Sequence, residues 1–367
     1  MENIIQRYAK LLVHYCLEIK DGDKLYVTSS TLAEPLIKEV YREALKAGAL
    51  VDMNMTFSDQ YKILMDNAVS DQQLGHISPV YVQAMESYDA YLAIRAPFNL
   101  REDQNVDGDK TSIRQQALRP VLKNYFERTA TRELKRNLCQ FPTQAAAQEA
   151  GMSLEEYEAF VYGACRLYDE DPIKSWLKVR HDQQHISDHL NKCEKVRYKS
   201  SNIDITFSTK GRTWINSDGQ TNMPSGEVYT SPVEDSVNGV VHFDYPSIYM
   251  GHEVEGVTLW VENGEVQKWE AKRGQDFLDR IFAMEGTRRF GEAAIGTNFN
   301  IDRFTKNILF DEKIGGTVHM AIGQSYLQAG GKNQSSVHWD MIADMTKDGQ
   351  IFADDEKIYE MGRFLIA

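Results

Sequence analysis

The stretch FDEKIGGTVHMAIGQSYLQAGGKNQSSVHWD, from Phe310 to Asp340, predicts two short strands joined by a glycine-rich polar connection. The strands are TVHMAIG and SSVHWDMIA, and the second runs on past Asp340. Residues two apart on a strand point to the same face, so we expect His338 and Asp340 to project together. Burying these side chains and His319 without partners is costly, and a metal ion would supply a partner. On these residues alone, a metal site and a pair of hydrogen-bonded core histidines both stay open.

The composition is that of an ordinary globular protein, with 42% hydrophobic and 26% charged residues in a chain of 367. This length is sufficient for two domains with substantial cores. The net charge of −13 argues against a general binder of nucleic acids or anionic membranes. We expect a cytoplasmic protein with reduced thiols, because no secretory signal, no membrane-spanning run and no C-x-x-C pair is present. The four cysteines lie far apart, at Cys16, Cys139, Cys165 and Cys193.

The first part of the chain has the pattern of an α/β layer structure. Apolar residues at helical spacing predict a helix over 3–20. KLYVTSS, TLAEPLIKEVYREALKAGA and LVDMNMTF then predict strand, helix and strand, a βαβ unit that implies a parallel sheet. YDAYLAIRA, SIRQQALRPVLKNYFERTA and NLCQFP continue this alternation. The turn after the first strand has no nucleotide-binding motif.

A helical segment over 143–192 is followed, after about residue 194, by short alternating segments with many turns. Glu262-Asn263-Gly264-Glu265 predicts a hairpin between two of these, and GQDFLDRIFAMEG predicts a helix that interrupts the strands. We therefore predict an N-terminal α/β domain with a parallel sheet and helical connector over residues 1–194. A β-rich α+β domain is expected over residues 195–367.

Two polar clusters favour ordinary surface structure over a site. The histidines of HDQQHISDH, at 181, 185 and 189, form one column on a helix. The segment lacks the glutamate of H-E-x-x-H, and a polar helix face or a domain-packing surface explains it better. The acidic run 354–356 lacks the ligand spacing of a calcium loop and is typical of a solvated turn. No serine lies in a G-x-S-x-G elbow, so the local sequence does not support nucleophilic catalysis.

Two glutamates upstream of the histidine strands have neighbours that permit burial. Glu227 lies between Pro-Ser-Gly and Val-Tyr, and Glu292 lies in RRFGEAAIGTN among small and apolar residues. A single glutamate is most often on the surface. Where a carboxylate is buried, it needs a cation.

GEVYTSPVEDSVNGVV, RRFGEAAIGTN, FDEKIGGTVHMAIGQSY and SSVHWDMI, in this order, resemble the M29 metallo-aminopeptidases, the family of thermophilic aminopeptidase T and its relatives. The likeness covers most of the region from about 160 to 345. It implies two divalent metal ions in the C-terminal domain, of zinc, cobalt, manganese or magnesium. The ligands carried over from the family pattern are Glu227, Glu292, Glu312, His319, His338 and Asp340. The KIGGTV connection between Glu312 and His319 is about two residues longer than the family pattern.

The resemblance also implies a mechanism. Four carboxylates and two imidazoles suffice for two metals if one carboxylate bridges them and a bridging water completes the site. Glu292 is the candidate bridging ligand, general base or both. Tyr326, seven residues after His319, is the candidate donor of a hydrogen bond to the oxyanion.

We therefore expect a cytoplasmic, homodimeric aminopeptidase that removes N-terminal residues from peptides and has no nucleic-acid or membrane partner. In the family architecture the N-terminal domain helps to enclose the active-site cavity, which would select short peptides. Two alternatives stay open: a non-catalytic metal- or ligand-binding protein on the same fold, and a metal-dependent hydrolase of another amide.

Overall fold

The computed structural model describes residues 2–366, and the chain divides into two compact units. The first unit comprises the residues up to Ile173 together with Gly219–Pro224. The second comprises Lys174–Asp218 and the residues from Ser225 onward. We number strands β1–β20 and helices α1–α11 in chain order. The expected domain division between residues 194 and 195 stays a prediction, because compactness does not show that a segment folds alone.

The first unit is built on a five-stranded sheet in the order β2-β1-β3-β4-β8, in which every neighbouring pair is parallel. Its strands are β1 (Lys24–Ser30), β2 (Leu50–Thr56), β3 (Ala90–Arg95), β4 (Lys135–Gln140) and β8 (Asn222–Met223). Its helices are α1 (Ile4–Lys10), α2 (Glu34–Lys46), α3 (Gln60–Asn67), α4 (Asp71–Leu74), α5 (Pro79–Ser87), α6 (Gly108–Ala130), α7 (Gln144–Glu149) and α8 (Leu154–Ala164). The predicted parallel α/β layer is therefore confirmed.

Local interactions at the ends of α2 and its apolar face stabilise the β1–α2–β2 unit. The Ser30 side chain accepts a hydrogen bond from the Leu32 backbone N–H where β1 turns into the helical segment. Gly48 has φ +85° after the helix, and a Cβ there would lie 2.1 Å from Asp21 Oδ1. The buried face of α2 consists of apolar residues at helical spacing: Leu36, Ile37, Val40 and Ala44.

The second unit contains two larger sheets, in the orders β14-β13-β10-β6-β5-β18-β19-β20 and β17-β16-β15-β9-β7, and a small hairpin, β11-β12. The strands up to β14 are β5 (Lys195–Lys199), β6 (Asp204–Ser208), β7 (Ile215–Ser217), β9 (Glu227–Thr230), β10 (Asn238–Phe243), β11 (Ser247–Tyr249), β12 (His252–Val254), β13 (Val257–Glu262) and β14 (Glu265–Glu270). The rest are β15 (Phe290–Gly296), β16 (Thr317–Gly323), β17 (His338–Asp344), β18 (Gln350–Ala353), β19 (Glu356–Glu360) and β20 (Arg363–Phe364). The helices are α9 (Pro172–Leu190), whose first two residues belong to the first unit, α10 (Gln275–Phe282) and α11 (Ile308–Asp311).

The predicted hairpin at residues 262–265 joins β13 to β14. Asn263 and Gly264 have φ values of +50° and +77°, which a tight turn between twisted antiparallel strands requires. The predicted helix GQDFLDRIFAMEG is α10. The β-rich character expected of this part of the chain is confirmed.

The core of the second unit joins its eight-stranded and five-stranded sheets. Apolar side chains of both sheets form one buried cluster, and each contributes about 1.5–3 kcal/mol by leaving water. The eight-stranded sheet contributes, among others, Tyr198, Phe207, Val241 and Leu259. The five-stranded sheet contributes, among others, Val318, Met320, Ile322, Trp339 and Met341. Alternate residues of the five-stranded sheet therefore face away from this core.

Within residues 2–366, no helix combines the length and the apolar character needed to cross a bilayer.

Candidate metal centre

The register of three strands brings four of the predicted ligands to one sheet face. Asp340 on β17 and Glu292 on β15 lie on either side of Ala321 in β16. Residues directly opposite on antiparallel strands project to the same face. His319 lies two positions before Ala321, and His338 lies two positions before Asp340, so both imidazoles share that face.

The fifth predicted ligand, Glu227, comes from the next strand. Glu227 begins β9 and is paired with Gly296 of β15, four positions after Glu292, which places it on the same face. The five side chains therefore come from four adjacent strands and lie on the face opposite the core.

A bulge in β15 determines which way Glu292 points. The pairing register shifts between Phe290 and Glu292, and Phe290, opposite Ile322, is buried in the core. In a regular strand without this bulge, Phe290 and Glu292 are two positions apart and would share a face. A Cβ on Gly291 would lie 2.1 Å from the carbonyl oxygen of Gln324, so this position accepts only glycine without a backbone shift.

The side chains form two groups that overlap at Glu292, each with its candidate ligand atoms within 4.8 Å of one another. In one group, His319 Nε2 lies 3.5 Å from Glu227 Oε2 and 3.6 Å from Glu292 Oε1. In the other, His338 Nε2 lies 3.1 Å from Glu292 Oε2 and 3.6 Å from Asp340 Oδ1. Glu292 thus turns one oxygen toward each imidazole.

Several atoms in these groups are buried but lack a hydrogen-bond partner in the described part of the chain. They are Glu227 Oε2, both ring nitrogens of His319, His338 Nε2 and Asp340 Oδ1. Buried polar atoms are nearly always hydrogen-bonded, so an unpaired cluster indicates a missing partner. Carboxylate oxygens and imidazole nitrogens are ligands for zinc, cobalt, manganese and magnesium. The residues present therefore fit divalent cations.

The pKa values of these side chains reflect both their burial and the close approach of carboxylates and imidazoles. Burial would raise the pKa of Glu292, but His319 and His338 hold it down at about 2. Burial would lower the pKa of the imidazoles, but Glu292 raises that of His319 to about 9. Asp340 and Glu292 raise that of His338 to about 10. Burial raises the pKa of Glu227 to about 7 and that of Asp340 to about 6. A cation at this site would stabilise the ionised carboxylates.

Neighbouring groups fix the orientation of His338 and Asp340. His338 Nδ1 lies 2.8 Å from the carbonyl oxygen of Gln324. In the neutral imidazole this hydrogen bond keeps the proton on Nδ1 and leaves the lone pair on Nε2, directed into the group. Ser247 Oγ donates to the Asp340 carbonyl oxygen at 2.8 Å and accepts from Trp339 Nε1 at 2.6 Å.

Glu312, the sixth predicted ligand, belongs to neither group. It follows α11, and its carboxylate contacts the ammonium group of Lys313. Burial is the main cause of the raised pKa values of Glu227 and Asp340, and the charge of Glu312 adds to both. Glu312 therefore lies close enough to act on the centre electrostatically, and its role as a ligand stays a prediction.

Lys313 is a member of the centre that was not predicted from the sequence. Its side chain is fully buried, and Nζ lies 3.6 Å from Glu227 Oε1. Burial would lower its pKa, but Glu227 and Glu312 raise it, so the ammonium form is retained. The only signal in the sequence was a charged residue directly after a predicted ligand, and surface lysines give the same signal.

The long KIGGTV connection is a buried turn that leads into β16. Gly315 and Gly316 are both buried. A Cβ on Gly315 would lie 2.5 Å from Phe299, and Gly316 has φ +91°. The two glycines thus let the chain pass between close neighbours before His319 enters the sheet.

Tyr326 lies beside the second group. Its ring centroid is 5.0 Å from that of His338 and 5.1 Å from that of Tyr229. Burial raises its pKa well above the usual value, so the phenol keeps its proton. The Tyr326 backbone N–H donates to Ser231 Oγ at 3.2 Å, and Ser231 Oγ donates to the Gly291 carbonyl oxygen at 2.7 Å. This chain of bonds ties Tyr326 to the bulge that orients Glu292.

The two polar clusters judged to be surface structure lie outside this centre. His181 and His185 are exposed on α9 with their Nε2 atoms 3.2 Å apart, and in the part of the chain described they belong to no group of three candidate ligands. Asp354 lies in the turn between β18 and β19, where its Oδ1 accepts from the backbone N–H groups of Glu194 and Lys195. Its carboxylate therefore stabilises a turn.

Comparisons with known proteins agree with this picture. The chain matches the family described as thermophilic metalloproteases (M29) over residues 1–364. It is 25% identical to Aminopeptidase 2 of Geobacillus stearothermophilus, over 95% of this chain and 94% of that protein. It is 23% identical to Aminopeptidase T of Thermus thermophilus, over 98% of this chain and 95% of that protein.

The fold is also similar to solved structures. Wild-type AmpT from Thermus thermophilus superposes with a TM-score of 0.84 over 99% of both chains, at 20% identity. A 2,5-dihydroxypyridine dioxygenase from Pseudomonas putida KT2440 superposes with a TM-score of 0.59 at 12% identity. Proteins of different chemistry thus share this fold, so function is argued from the site. Because the family match extends over nearly the whole chain, and confirms the resemblance seen in the strand motifs, this protein belongs to the M29 family of metalloproteases.

Proposed function

We propose that this protein is a metal-dependent aminopeptidase that removes N-terminal residues from peptides and uses two divalent metal ions. The observation that carries the proposal is the pair of overlapping ligand groups, which share Glu292 on one sheet face. The curated relatives named above are aminopeptidases, which supports the same class of substrate. The proposed metals are zinc, cobalt, manganese or magnesium.

The residues that would hold the ions follow from the two groups. Glu227 and His319 would serve one ion, His338 and Asp340 the other, and Glu292 would bridge them. Glu312 is proposed as a further ligand, supported by its electrostatic effect on Glu227 and Asp340. When bound, the ions supply a bridging water of lowered pKa and polarise the scissile carbonyl group.

The chain's own residues would do the rest of the chemistry. We propose Glu292 as the group that takes a proton from the attacking water and passes it to the leaving amine. The Tyr326 phenol, which burial keeps protonated, would donate a hydrogen bond to the oxyanion. The excess of carboxylates would attract the free α-ammonium group of a peptide substrate.

Turnover of leucine p-nitroanilide by metal-reconstituted protein tests the proposal. The wild type should release nitroaniline, whereas the Glu292→Gln and His319→Ala variants should lose at least about a hundredfold in kcat/KM. The N-acetylated substrate should be resistant, because an aminopeptidase requires the free amine. Wild-type protein that is inactive with cobalt, zinc, manganese and magnesium alike would show that the peptidase assignment is wrong. Rapid cleavage of the N-acetylated substrate would instead identify a hydrolase of other amides.

We also propose that the protein is a homodimer, as the resemblance implies, and that it is cytoplasmic, as its sequence pattern predicts. Sedimentation velocity should then give twice the chain mass of 42.0 kDa, and a monomer at micromolar concentration would contradict the dimer. Cell fractionation tests the location.

A further inference from the structure

A cleft of about 660 Å³ opens at the carboxyl edge of the parallel sheet in the first unit. Its lining includes the ends of β1, β2 and β3, at residues 28–30, 54 and 56, and 93–95. The chain passes from β1 to β2 on one side and then to β3 on the other side of β1, so the strand order reverses at the cleft. Open parallel sheets bind ligands at this position, in sites of about 300–1,000 Å³.

The cleft contains a guanidinium without a carboxylate partner. Arg114 of α6 lines it, and its Nη1 donates to the carbonyl oxygens of Leu74 at 3.1 Å and His76 at 3.2 Å. These bonds hold the side chain in place but leave its charge uncompensated. Within residues 2–366 Arg114 forms no ion pair, although the protein carries a net charge of −13. A fixed guanidinium with open N–H groups is suited to a carboxylate.

The same cleft contains a carboxylate without a cation. Glu102 lines it, and its Oε2 is buried and makes no hydrogen bond in the described part of the chain. Glu102 forms no ion pair among those residues either, so it is not the partner of Arg114. A buried carboxylate atom of this kind needs a hydrogen-bond donor or a cation.

The rest of the lining combines apolar side chains, side-chain amides, hydroxyl groups and a second guanidinium, that of Arg95. Phe57, Leu64 and Phe98 supply apolar surface, and Asn54 and Gln60 supply side-chain amides. The cleft therefore offers two guanidinium groups, one carboxylate, apolar surface and amide groups. A short peptide has the complementary set, because its terminal charges lie on different residues and its backbone amides lie between them. A free amino acid carries both charged groups on one carbon atom and has no backbone amide to pair with Asn54 and Gln60.

We propose that this cleft binds a short peptide of two or three residues, with its C-terminal carboxylate on Arg114 and its N-terminal ammonium at Glu102. The proposal rests on the proposed function only for the source of such peptides, as substrates or products of the same enzyme. None of the lining residues is a proposed metal ligand, so binding here and hydrolysis are separable by mutation.

Calorimetric titration of the full-length, metal-loaded Glu292→Gln protein tests this proposal with three probes. Leucyl-leucine carries both terminal charges, leucyl-leucinamide lacks the carboxylate, and N-acetyl-leucyl-leucine lacks the ammonium. Mass spectrometry after the titration verifies that the peptides are intact. Leucyl-leucine should bind about tenfold or more tightly than either analogue, because each analogue loses a charge-assisted hydrogen bond.

Second-site variants locate the contact. Arg114→Met should weaken leucyl-leucine binding about tenfold and leave the amide analogue unchanged, and Glu102→Gln should affect the N-acetyl analogue least. Arg101→Met removes an exposed arginine of the neighbouring loop, which pairs with Glu149, and should change nothing. Hydrogen exchange should slow at residues 54–64 and 93–98 only when leucyl-leucine is bound.

Equal affinity for leucyl-leucine and its amide would overturn the proposal, and so would unchanged affinity in both Arg114→Met and Glu102→Gln. Since Glu102→Gln preserves the size of the side chain and an oxygen that can accept the hydrogen bond from the Asp59 backbone, it keeps the test valid if Arg114→Met fails to fold. If the wild type hydrolyses peptides but fails these binding tests, only the proposal of peptide binding in the cleft is wrong. If the protein passes the binding tests but never hydrolyses peptides, only the proposed aminopeptidase function is wrong.

Discussion

At the scale of single residues, the centre depends on how a few charges balance. Glu292 turns Oε1 toward His319 and Oε2 toward His338, so it is the one carboxylate common to both groups. Lys313 supplies the only buried lysine charge described next to Glu227. Tyr326 stays a neutral donor because burial opposes its ionisation. In the proposed mechanism, Glu292 would bridge the ions, Lys313 compensates charge and Tyr326 would donate a hydrogen bond.

Tyr326→Phe should leave metal content unchanged and lower kcat about a hundredfold. An oxyanion donor contributes about 3 kcal/mol to the barrier, and the substitution removes only the hydroxyl group. Steady-state kinetics on leucine p-nitroanilide measures the loss. Tyr229→Phe, which alters the adjacent ring, is the matched control, and equal activity of Tyr326→Phe and wild type would refute the oxyanion role.

Lys313→Met should lower the free energy of unfolding of the metal-free protein by about 3 kcal/mol. The substitution leaves Glu227 and Glu312 near one another without their buried cation, and breaking a buried ion pair on one side costs about that amount. Bound metal should reduce this loss of stability, because its positive charge compensates the same carboxylates. Denaturant titration with and without metal gives both numbers. The exposed pair Lys210–Glu194 provides a control, Lys210→Met, expected to change stability by less than about 1 kcal/mol.

Metal affinity should rise between pH 6 and pH 9. In the metal-free protein the pKa values of His319 and His338 are raised to about 9 and about 10, so binding at neutral pH must displace protons. For the same reason the imidazolium–carboxylate pairs stabilise the metal-free fold below about pH 6.5, and this contribution disappears as pH rises through 9 to 10. Calorimetry with Mn²⁺ in buffers of different ionisation enthalpy counts the released protons. An affinity that is constant or falls over this range would contradict the assignment of the histidines.

At the scale of secondary-structure elements, the bulge in β15 is the feature on which the site depends most. It is the reason that FGE places Phe290 in the core and Glu292 in the centre, although the two residues are two positions apart. The Ser231 hydroxyl accepts a hydrogen bond from the Tyr326 backbone N–H and donates one to the Gly291 carbonyl oxygen in the same bulge. One glycine therefore positions both a proposed ligand and the proposed oxyanion donor.

Gly291→Ala should lower stability by about 1–3 kcal/mol and sharply reduce metal content. The new Cβ would lie 2.1 Å from a backbone oxygen, which cannot rotate away as a side chain can. Thermal unfolding and metal analysis measure the two effects. Gly163→Ala in α8, where a Cβ meets nothing within 4 Å, is the control and should be neutral or stabilising. Wild-type metal content in Gly291→Ala would show that the bulge does not orient Glu292.

The elements that were predictable from sequence are those with a strong local pattern. β16 and β17 alternate around their histidines, and the Asn263-Gly264 turn requires a hairpin. Helices α3–α5, which lie between β2 and β3, were not predicted, because they are short and their apolar residues form no long stripe. The pairing of β18 with β5 was not predictable, because it joins residues that lie far apart in the sequence. Lys313 was missed for the same reason, since only the tertiary fold shows that it is buried.

At the scale of the whole molecule, each unit contains a sheet that carries a candidate functional site. In the second unit one sheet face is apolar and joins the core, and the opposite face carries five candidate ligands from four strands. In the first unit the carboxyl edge of the parallel sheet carries the cleft with Arg114 and Glu102. The resemblance in the strand motifs identified the ligands from sequence, whereas the cleft required the folded sheet because its lining residues are scattered from 28 to 114.

The number of metal ions bound per chain tests the central claim, that one sheet face holds a dinuclear centre, most directly. After reconstitution and removal of free ions, plasma mass spectrometry should find about two ions per wild-type chain. His319→Ala should bind no more than about one, and His181→Ala, which removes an exposed histidine of α9, should match the wild type. A wild-type chain that binds no ions, or a His319→Ala chain that binds as many as the wild type, would contradict the account.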